Sequence, residues 1–233
     1  MKTIGLLGGI TSESSLLYYK LINEMTREKL GGHHAAKSVM VSVDFAEIQP
    51  LTERGDWDGV LAILLEAAKG IERGGADLLL LCANTVHKLA DEIGRKIKIP
   101  IVHIVDETAA EIRKAGFSRV GLLGTRFTME EDFFKGRLRE KYGIEALVPV
   151  KEEREQVHRI IIDELALGVI KPESREAVNK IMDGLIAAGA QAIILGCTEL
   201  PLLISRGQGR LPLFDTTLIH ARAGVDRALG AQF

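Results

Sequence analysis

The most reactive side chains in this sequence are two cysteines, Cys82 and Cys197, and both follow apolar runs. Polar residues follow each of them: Asn84 and Thr85 come after Ala83 in the first segment, and Thr198 and Glu199 come directly after the second cysteine. A thiolate can serve as a base or a nucleophile, and the N–H groups at a helix start lower the pKa of a neighbouring thiol. The same N–H groups bind anions. These segments predict thiol chemistry on a small anionic molecule.

The composition argues against several classes of protein. The chain has 233 residues, of which 46% are hydrophobic and 27% charged, with a net charge of −2 and no basic stripe. This balance predicts a globular protein without a nucleic-acid or membrane partner. The segment Met1–Gly9 lacks the layout of a signal peptide and is typical of a first strand. We therefore expect a cytoplasmic protein whose two cysteines stay reduced.

Short apolar runs alternate with longer segments of helical period, and this alternation predicts an α/β fold with parallel sheets covered by helices. The strand candidates are Thr3–Leu7, Val39–Val43, Ala76–Leu81, Ile101–Ile104, Arg119–Leu123 and Ala192–Leu195. The helix candidates are Ser14–Leu30, Trp57–Gly70, Glu107–Ala115, Met129–Tyr142, Glu152–Leu167 and Glu173–Ala187.

The two halves of the chain repeat one another. The Gly-Leu-Leu-Gly run at residues 5–8 recurs at residues 121–124, and residues 75–85 are echoed by residues 189–199. Chance recurrence in a leucine-rich protein is the alternative, but the matching order in both halves favours duplicated domains. Ligands of open α/β sheets bind beyond the carboxyl ends of the strands, where both cysteine segments would lie.

Several motifs resemble those of the aspartate/glutamate racemase family. They are residues 8–14 (Gly-Gly-Ile-Thr-Ser-Glu-Ser), 82–87 (Cys-Ala-Asn-Thr-Val-His) and 196–200 (Gly-Cys-Thr-Glu-Leu), with Asp44-Phe45, residues 123–126 and residues 214–216. The resemblance implies two similar three-layer α/β domains with parallel sheets, related by pseudo-two-fold symmetry, with the active site between them. It places the domains at 1–100 plus 210–233 and at 101–209, and it implies a homodimer.

The resemblance also implies an isomerase that needs no pyridoxal phosphate or other cofactor. In that scheme a thiolate removes the α-proton of an amino acid, and a thiol on the opposite face returns one. Cys197 occupies the family's second cysteine position and is the main catalytic candidate; Cys82 is the other. The substrate-binding candidates are Ile10, Thr52, Ala83, Asn84, Thr85, Thr125, Thr198 and Glu199. No metal is expected, because no metal-binding spacing of Cys or His is present.

This sequence departs from the family pattern at the first cysteine position, where it has Ala83. Aligning the two halves also places Ala83 opposite Cys197, and Cys82 opposite Gly196. Neighbouring side chains on a strand point to opposite faces, so Cys82 is either a small core residue or reaches the site through a loop distortion. If the chain is a racemase, the second proton must come from Cys82, Thr85, His87 or an ordered water.

Two further classes of function stay open on this basis. One is a single-thiol decarboxylase or isomerase of a small dicarboxylate, since such chemistry needs a proton on one face only. The other is a non-catalytic amino-acid-binding protein. Aspartate and glutamate are the first substrates to test, although a fork of donors for a second carboxylate is not evident in the sequence. Lys171 is one candidate for that contact.

Overall fold

The computed structural model describes residues 1–204 and 211–230. The chain divides into two compact units, one formed by Met1–His103 with the chain from His220 onward, the other by Ile104–Ile219. The sequence suggests a return to the first domain near residue 210, which lies outside the described residues; residues 211–219 still belong to the second unit, and the return comes at His220, because β7 pairs with β6 of the second sheet. The other observed limit, His103/Ile104, falls within a few residues of the suggested one at 100/101.

The first unit contains a three-stranded parallel sheet in the order β2-β1-β3. Its elements are β1 (Ile4–Gly8), α1 (Ser12–Leu30), β2 (Ser38–Ser42), α2 (Phe45–Arg54), α3 (Trp57–Arg73), β3 (Leu78–Leu81), a 3-10 turn (Thr85–Leu89) and α4 (Ala90–Gly94). Every residue of β1 and β3 is buried, which matches the uninterrupted apolar runs of these strands.

The second unit contains a four-stranded parallel sheet in the order β5-β4-β6-β7. Its elements are α5 (Ile104–Lys114), β4 (Arg119–Gly124), α6 (Arg126–Glu130), α7 (Asp132–Tyr142), β5 (Glu145–Leu147), α8 (Lys151–Arg159), a π-helical turn (Ile160–Glu164), a 3-10 turn (Leu165–Leu167), α9 (Pro172–Ala187), β6 (Ile193–Gly196), α10 (Leu200–Leu203) and β7 (Leu213–Asp215). The last helix, α11 (Thr216–Ala228), begins in this unit, and its residues from His220 onward belong to the first.

The strand order β2-β1-β3 of the first unit recurs in the second as β5-β4-β6, so the predicted α/β class with repeated parallel sheets is confirmed. The recurrent Gly-Leu-Leu-Gly run has a packing cause. A Cβ atom at Gly5 would collide with Ile71 of α3, and one at Gly121 would collide with Leu185 of α9 and with Ile193. In both units a glycine in the central strand therefore admits close packing of a helix on the sheet.

The predicted strand Ile101–Ile104 is wrong at its carboxyl end. Only Ile101 forms a bridge, with Leu79, and α5 already begins at Ile104. The predicted helix 152–167 is divided into α8, the π-helical turn and the 3-10 turn. Among the described residues, we find no helix both long enough and apolar enough to pass through a membrane.

Candidate active site

Cys197 lies directly after β6, at the carboxyl edge of the second unit's sheet. Gly196 of β6 pairs with Gly124 of β4, so Cys197 and Thr125 each come one residue beyond a paired glycine. Both glycines are required by the close approach of the strands, because a Cβ atom at Gly196 would lie 2.8 Å from the Leu123 oxygen. This register brings the predicted residues Thr125 and Cys197 to the same edge of one sheet.

The Cys197 thiol is hydrogen-bonded to a buried carboxylate. Its Sγ donates to Oε2 of Glu199 at 2.9 Å, and the Thr198 hydroxyl donates to the same oxygen at 2.6 Å. All three residues are buried, and Glu199 is 3% exposed. Predicted from the sequence as ligand contacts, Thr198 and Glu199 thus surround the thiol itself. We call Cys197 and Glu199 the thiol–carboxylate pair.

The environment of Cys197 holds its thiol in the protonated form. Burial raises the pKa of this thiol well above its usual value, and the negative charge and hydrogen bond of Glu199 raise it further. The expectation of a pKa lowered by a helix start is therefore wrong. The helix that follows, α10, has only four residues, and the backbone hydrogen bonds of Thr198 and Glu199 lower the pKa by less than burial raises it.

Thr125, at the same edge, is the N-cap of α6 and is partly exposed. Its hydroxyl accepts a hydrogen bond from the Thr128 backbone N–H at 3.4 Å, which fixes the start of the helix. Lys171, by contrast, forms an ion pair with Glu164 at 3.2 Å, so its ammonium group already has a carboxylate partner.

In the first unit, Cys82 lies directly after β3 and is 1% exposed. Its Sγ lies 3.8 Å from the Leu80 oxygen, and burial raises the pKa of its thiol. Burial alternates along the following residues, since Ala83 and Thr85 are partly exposed while Asn84 is buried. This placement favours the interpretation of Cys82 as a core residue, with Ala83 on the accessible side.

Two serines of α1 hold the chain at the carboxyl ends of β1 and β3. The Ser14 hydroxyl donates to the Cys82 carbonyl oxygen. The Gly9 backbone N–H donates to Ser15 Oγ at 2.8 Å, and the Ser15 hydroxyl donates to the Thr11 carbonyl at 2.9 Å. No sequence pattern predicts these contacts, since the partner of Ser14 lies 68 residues away.

A cluster of three buried histidines, which we call the histidine cluster, lies beside this segment and comprises His87, His103 and His220. The His87 ring lies 5.0 Å from that of His103 and 5.3 Å from that of His220. Its Nδ1 donates to the Ala83 carbonyl at 2.8 Å. His220 donates from Nε2 to the Val102 carbonyl at 2.7 Å and accepts from the Tyr18 hydroxyl at Nδ1, at 2.8 Å.

The histidine cluster predicts a loss of stability in mild acid. Burial lowers the pKa of His220 well below its usual value, and the nearby His87 and Arg227 lower it further. Below the unfolded value of about 6.5, the unfolded chain binds a proton at this position that the folded chain does not. The free energy of unfolding should therefore fall as the pH drops from about 6.5 toward the folded pKa, by up to about 1.4 kcal/mol per pH unit.

Urea unfolding of the wild type and of His220→Gln at pH 7, 6 and 5 measures this effect. The variant should be less stable at pH 7 because it loses buried hydrogen bonds, but its stability should fall less steeply with acid. Equal slopes in the two proteins would show that His220 is not the group that titrates.

The remaining predicted ligands lie elsewhere in the first unit. Ile10 is 8% exposed and packs in the apolar core that includes Leu7 and Leu81. Thr52 lies in α2, and its hydroxyl donates to the Gln49 carbonyl of the same helix at 2.8 Å. Within residues 1–204 and 211–230, no group of three or more His, Cys, Asp or Glu side chains is placed to hold a metal ion.

The repeated parallel α/β sheets and the buried thiol of the Gly-Cys-Thr-Glu segment are the features expected of a thiol-dependent α/β enzyme. Comparison with known families identifies the family. The sequence profile of the Asp/Glu/hydantoin racemase family matches residues 7–224. The chain belongs to this family. The expectation of an amino acid racemase, an isomerase that works without pyridoxal phosphate, is thereby confirmed at the level of the family.

Individual relatives agree with this assignment. The broad-specificity amino-acid racemase RacX of Bacillus subtilis (strain 168) is 26% identical over 180 residues, which are 76% of each chain. A Yersinia pestis protein with the provisional name Asp/Glu racemase is 46% identical with a TM-score of 0.91, and the match covers 98% of this chain and 100% of that one. An aspartate racemase homologue from Pyrococcus horikoshii OT3 is 41% identical with a TM-score of 0.85, over the same shares.

Proposed function

We propose that this protein racemises a small amino acid and that the thiol–carboxylate pair of Cys197 and Glu199 exchanges the α-proton on one face of the substrate. The observation that carries the proposal is the hydrogen bond of 2.9 Å from the Cys197 thiol to the Glu199 carboxylate, at the carboxyl edge of a parallel sheet. Family membership supplies the class of reaction, and this geometry supplies a group able to perform it.

The pair holds one proton between two acidic groups. In its main form the sulfur carries the proton, and in its minor form the proton is on the carboxyl group and the sulfur is a thiolate. The thiolate form is the base that removes an α-proton, and the thiol form is the acid that returns one. Racemisation needs both forms, so one shared proton serves both directions of the reaction.

Forming the minor form has a minimum energetic cost. For an ordinary thiol and an ordinary carboxyl group the transfer of the proton costs about 6 kcal/mol, from reference pKa values near 8.5 and 4.3. The raised pKa of Cys197 makes this a lower bound. A turnover of about 10 per second corresponds to a barrier of about 16 kcal/mol, so forming the thiolate takes up at least about 6 kcal/mol of such a barrier.

The proton on the other face requires a separate source, because the methyl group of Ala83 carries none. Of the groups considered from the sequence, Cys82 is buried, and His87 donates its Nδ1 proton to a backbone carbonyl. The proposal therefore assigns that role to the partly exposed Thr85 hydroxyl or to water. Aspartate and glutamate are the first substrates, in keeping with the family profile and with the name of the Pyrococcus horikoshii relative.

The Ala83→Cys variant tests this proposal. A thiol at this position supplies an exchangeable proton, so racemisation should rise by about tenfold or more relative to wild type. Circular dichroism follows racemisation, and mass spectrometry follows α-proton exchange in deuterated water, across a panel of amino acids that begins with aspartate and glutamate. Ala83→Ser is the matched control, since its hydroxyl is a much weaker acid than a thiol.

If no amino acid in the panel exchanges its α-proton in wild type or in Ala83→Cys, the proposal of racemisation fails. Exchange with retained configuration would instead indicate one working face. That outcome would favour a single-thiol decarboxylase or isomerase. The observation behind this alternative is that the Ala83 side chain carries no exchangeable proton. Release of carbon dioxide from malonate derivatives would then identify a decarboxylase.

We also propose that the protein is a homodimer in the cytoplasm, as its resemblance to the racemases suggests. The mass measured by light scattering after size-exclusion chromatography tests the dimer, since one chain has a mass of 25.4 kDa. Cell fractionation tests the location.

A further inference from the structure

Two consecutive carbonyl groups after β3 are held by side chains. Ser14 Oγ donates to the carbonyl of Cys82, and His87 Nδ1 donates to the carbonyl of Ala83 at 2.8 Å. The two donors come from different directions in the sequence, 68 residues before and four residues after their acceptors. The chain therefore leaves the strand with two successive peptide groups fixed by side chains rather than by the sheet.

The direction of a carbonyl determines the direction of the N–H on the same peptide group. Because a trans peptide is planar, its C=O and N–H bonds point in opposite directions. Holding the carbonyls of Cys82 and Ala83 thus fixes where the N–H groups of Ala83 and Asn84 point. Backbone N–H groups at the carboxyl edge of a parallel sheet can bind an anionic ligand.

The His87 ring is itself restrained. It packs edge-on against His103 and His220, with ring planes inclined by 62° and 72°. His220 is fixed in turn by one bond to the Val102 carbonyl and another from Tyr18. His87 is 3% exposed, so it is buried within this group of rings.

From this geometry we propose that Ser14 and His87 are positioning residues, which aim the Ala83 and Asn84 peptide groups at the carboxylate of the substrate. The proposal rests on the proposed function for the identity of the ligand. The fixed peptide groups themselves can be measured without any turnover, so the two proposals can fail separately.

The variants His87→Leu, His87→Asn and Ile22→Val test the proposal. Leucine removes the donor, whereas asparagine places an amide N–H near the position of Nδ1. Ile22→Val is the control, because it removes one methylene group from a fully buried residue of α1 and lowers stability without a change in donors. Ser14→Ala is a second test, and its small change in volume keeps the experiment usable if His87→Leu does not fold.

Hydrogen–deuterium exchange of the amides in residues 82–86 is the first measurement. Both His87→Leu and Ser14→Ala should speed this exchange by about tenfold, while His87→Asn and Ile22→Val stay near wild type. Steady-state kinetics with aspartate is the second measurement. His87→Leu should raise KM about tenfold with a smaller change in kcat, and His87→Asn should restore KM.

The outcomes separate the possibilities. Equal exchange at residues 82–86 in His87→Leu and Ile22→Val would overturn the positioning role, as would a His87→Asn variant that behaves like His87→Leu. Faster exchange at residues 82–86 in a protein that racemises no amino acid would uphold the positioning role and reject the proposed function.

Discussion

Replacing Cys197 with serine should lower α-proton exchange by about 10³-fold and leave the fold intact. A serine hydroxyl is smaller than the thiol but has the same branching and is a hydrogen-bond donor, so it can still donate to Glu199. Its pKa lies far above that of a thiol, however, and the alkoxide needed as a base is not populated near neutral pH. General acid–base catalysis contributes 10²- to 10⁴-fold in enzymes, and this substitution removes that contribution on one face.

Cys82→Ala is the matched control for this prediction. The Cys82 thiol is fully buried beside the Leu80 carbonyl, so its removal should cost about 1 kcal/mol of stability and leave exchange near the wild-type rate. Exchange of the α-proton of aspartate in deuterated water, followed by NMR, compares the two variants. If Cys197→Ser keeps full exchange, or if Cys82→Ala loses as much, Cys197 is not the catalytic thiol.

The fold was largely predictable because its signals are local. The buried run at residues 78–81 and the recurrent glycines of β1 and β4 mark the central strands of both sheets. The structure adds the reason for the glycines, which is the close packing of α3 and α9 on those strands. Short and half-buried strands were missed, since β5 and β7 have three residues each and no distinct pattern.

The candidate site was predictable in its residues but less so in its electrostatics. The Gly-Cys-Thr-Glu segment identifies the thiol, and the family resemblance predicts a ligand contact for the glutamate that follows it. In the structure the Cys197 thiol is buried and donates a hydrogen bond to Glu199, so its pKa is raised instead of lowered. The direction depends on burial and on one side-chain rotamer, and neither can be read from the order of residues.

The residues that hold the segment after β3 in the first unit could not be predicted, for a different reason. Ser14, His103 and His220 meet Cys82 and His87 only after the chain has folded, across sequence separations of 16 to 133 residues. No periodic pattern marks such contacts. A repeated polar residue type in apolar surroundings, such as the isolated histidines at 87, 103 and 220, is the only local sign that could have suggested them.

Glu199→Gln should lower exchange at pH 7 by about 10²-fold and make it strongly dependent on pH. The amide keeps the shape of the carboxylate and can still contact the thiol and Thr198, but it cannot take up the thiol proton. The thiolate must then form by releasing its proton to water, so its population rises tenfold per pH unit below the thiol pKa. In wild type the proton moves within the pair, and the rate should vary less between pH 7 and 9.

A purely electrostatic role for Glu199 predicts the opposite result. The negative charge of Glu199 raises the pKa of Cys197, so removing that charge would favour the thiolate and raise exchange at neutral pH. The pH dependence of exchange from pH 6 to 9.5 in wild type, Glu199→Gln and Glu199→Asp decides between the two roles. The aspartate variant should recover part of the activity. Its side chain is shorter than that of glutamate, but its carboxylate can still accept the thiol proton over a longer distance. A Glu199→Gln variant more active than wild type at pH 7 would show that the carboxylate keeps the thiol protonated and does not accept its proton during the reaction.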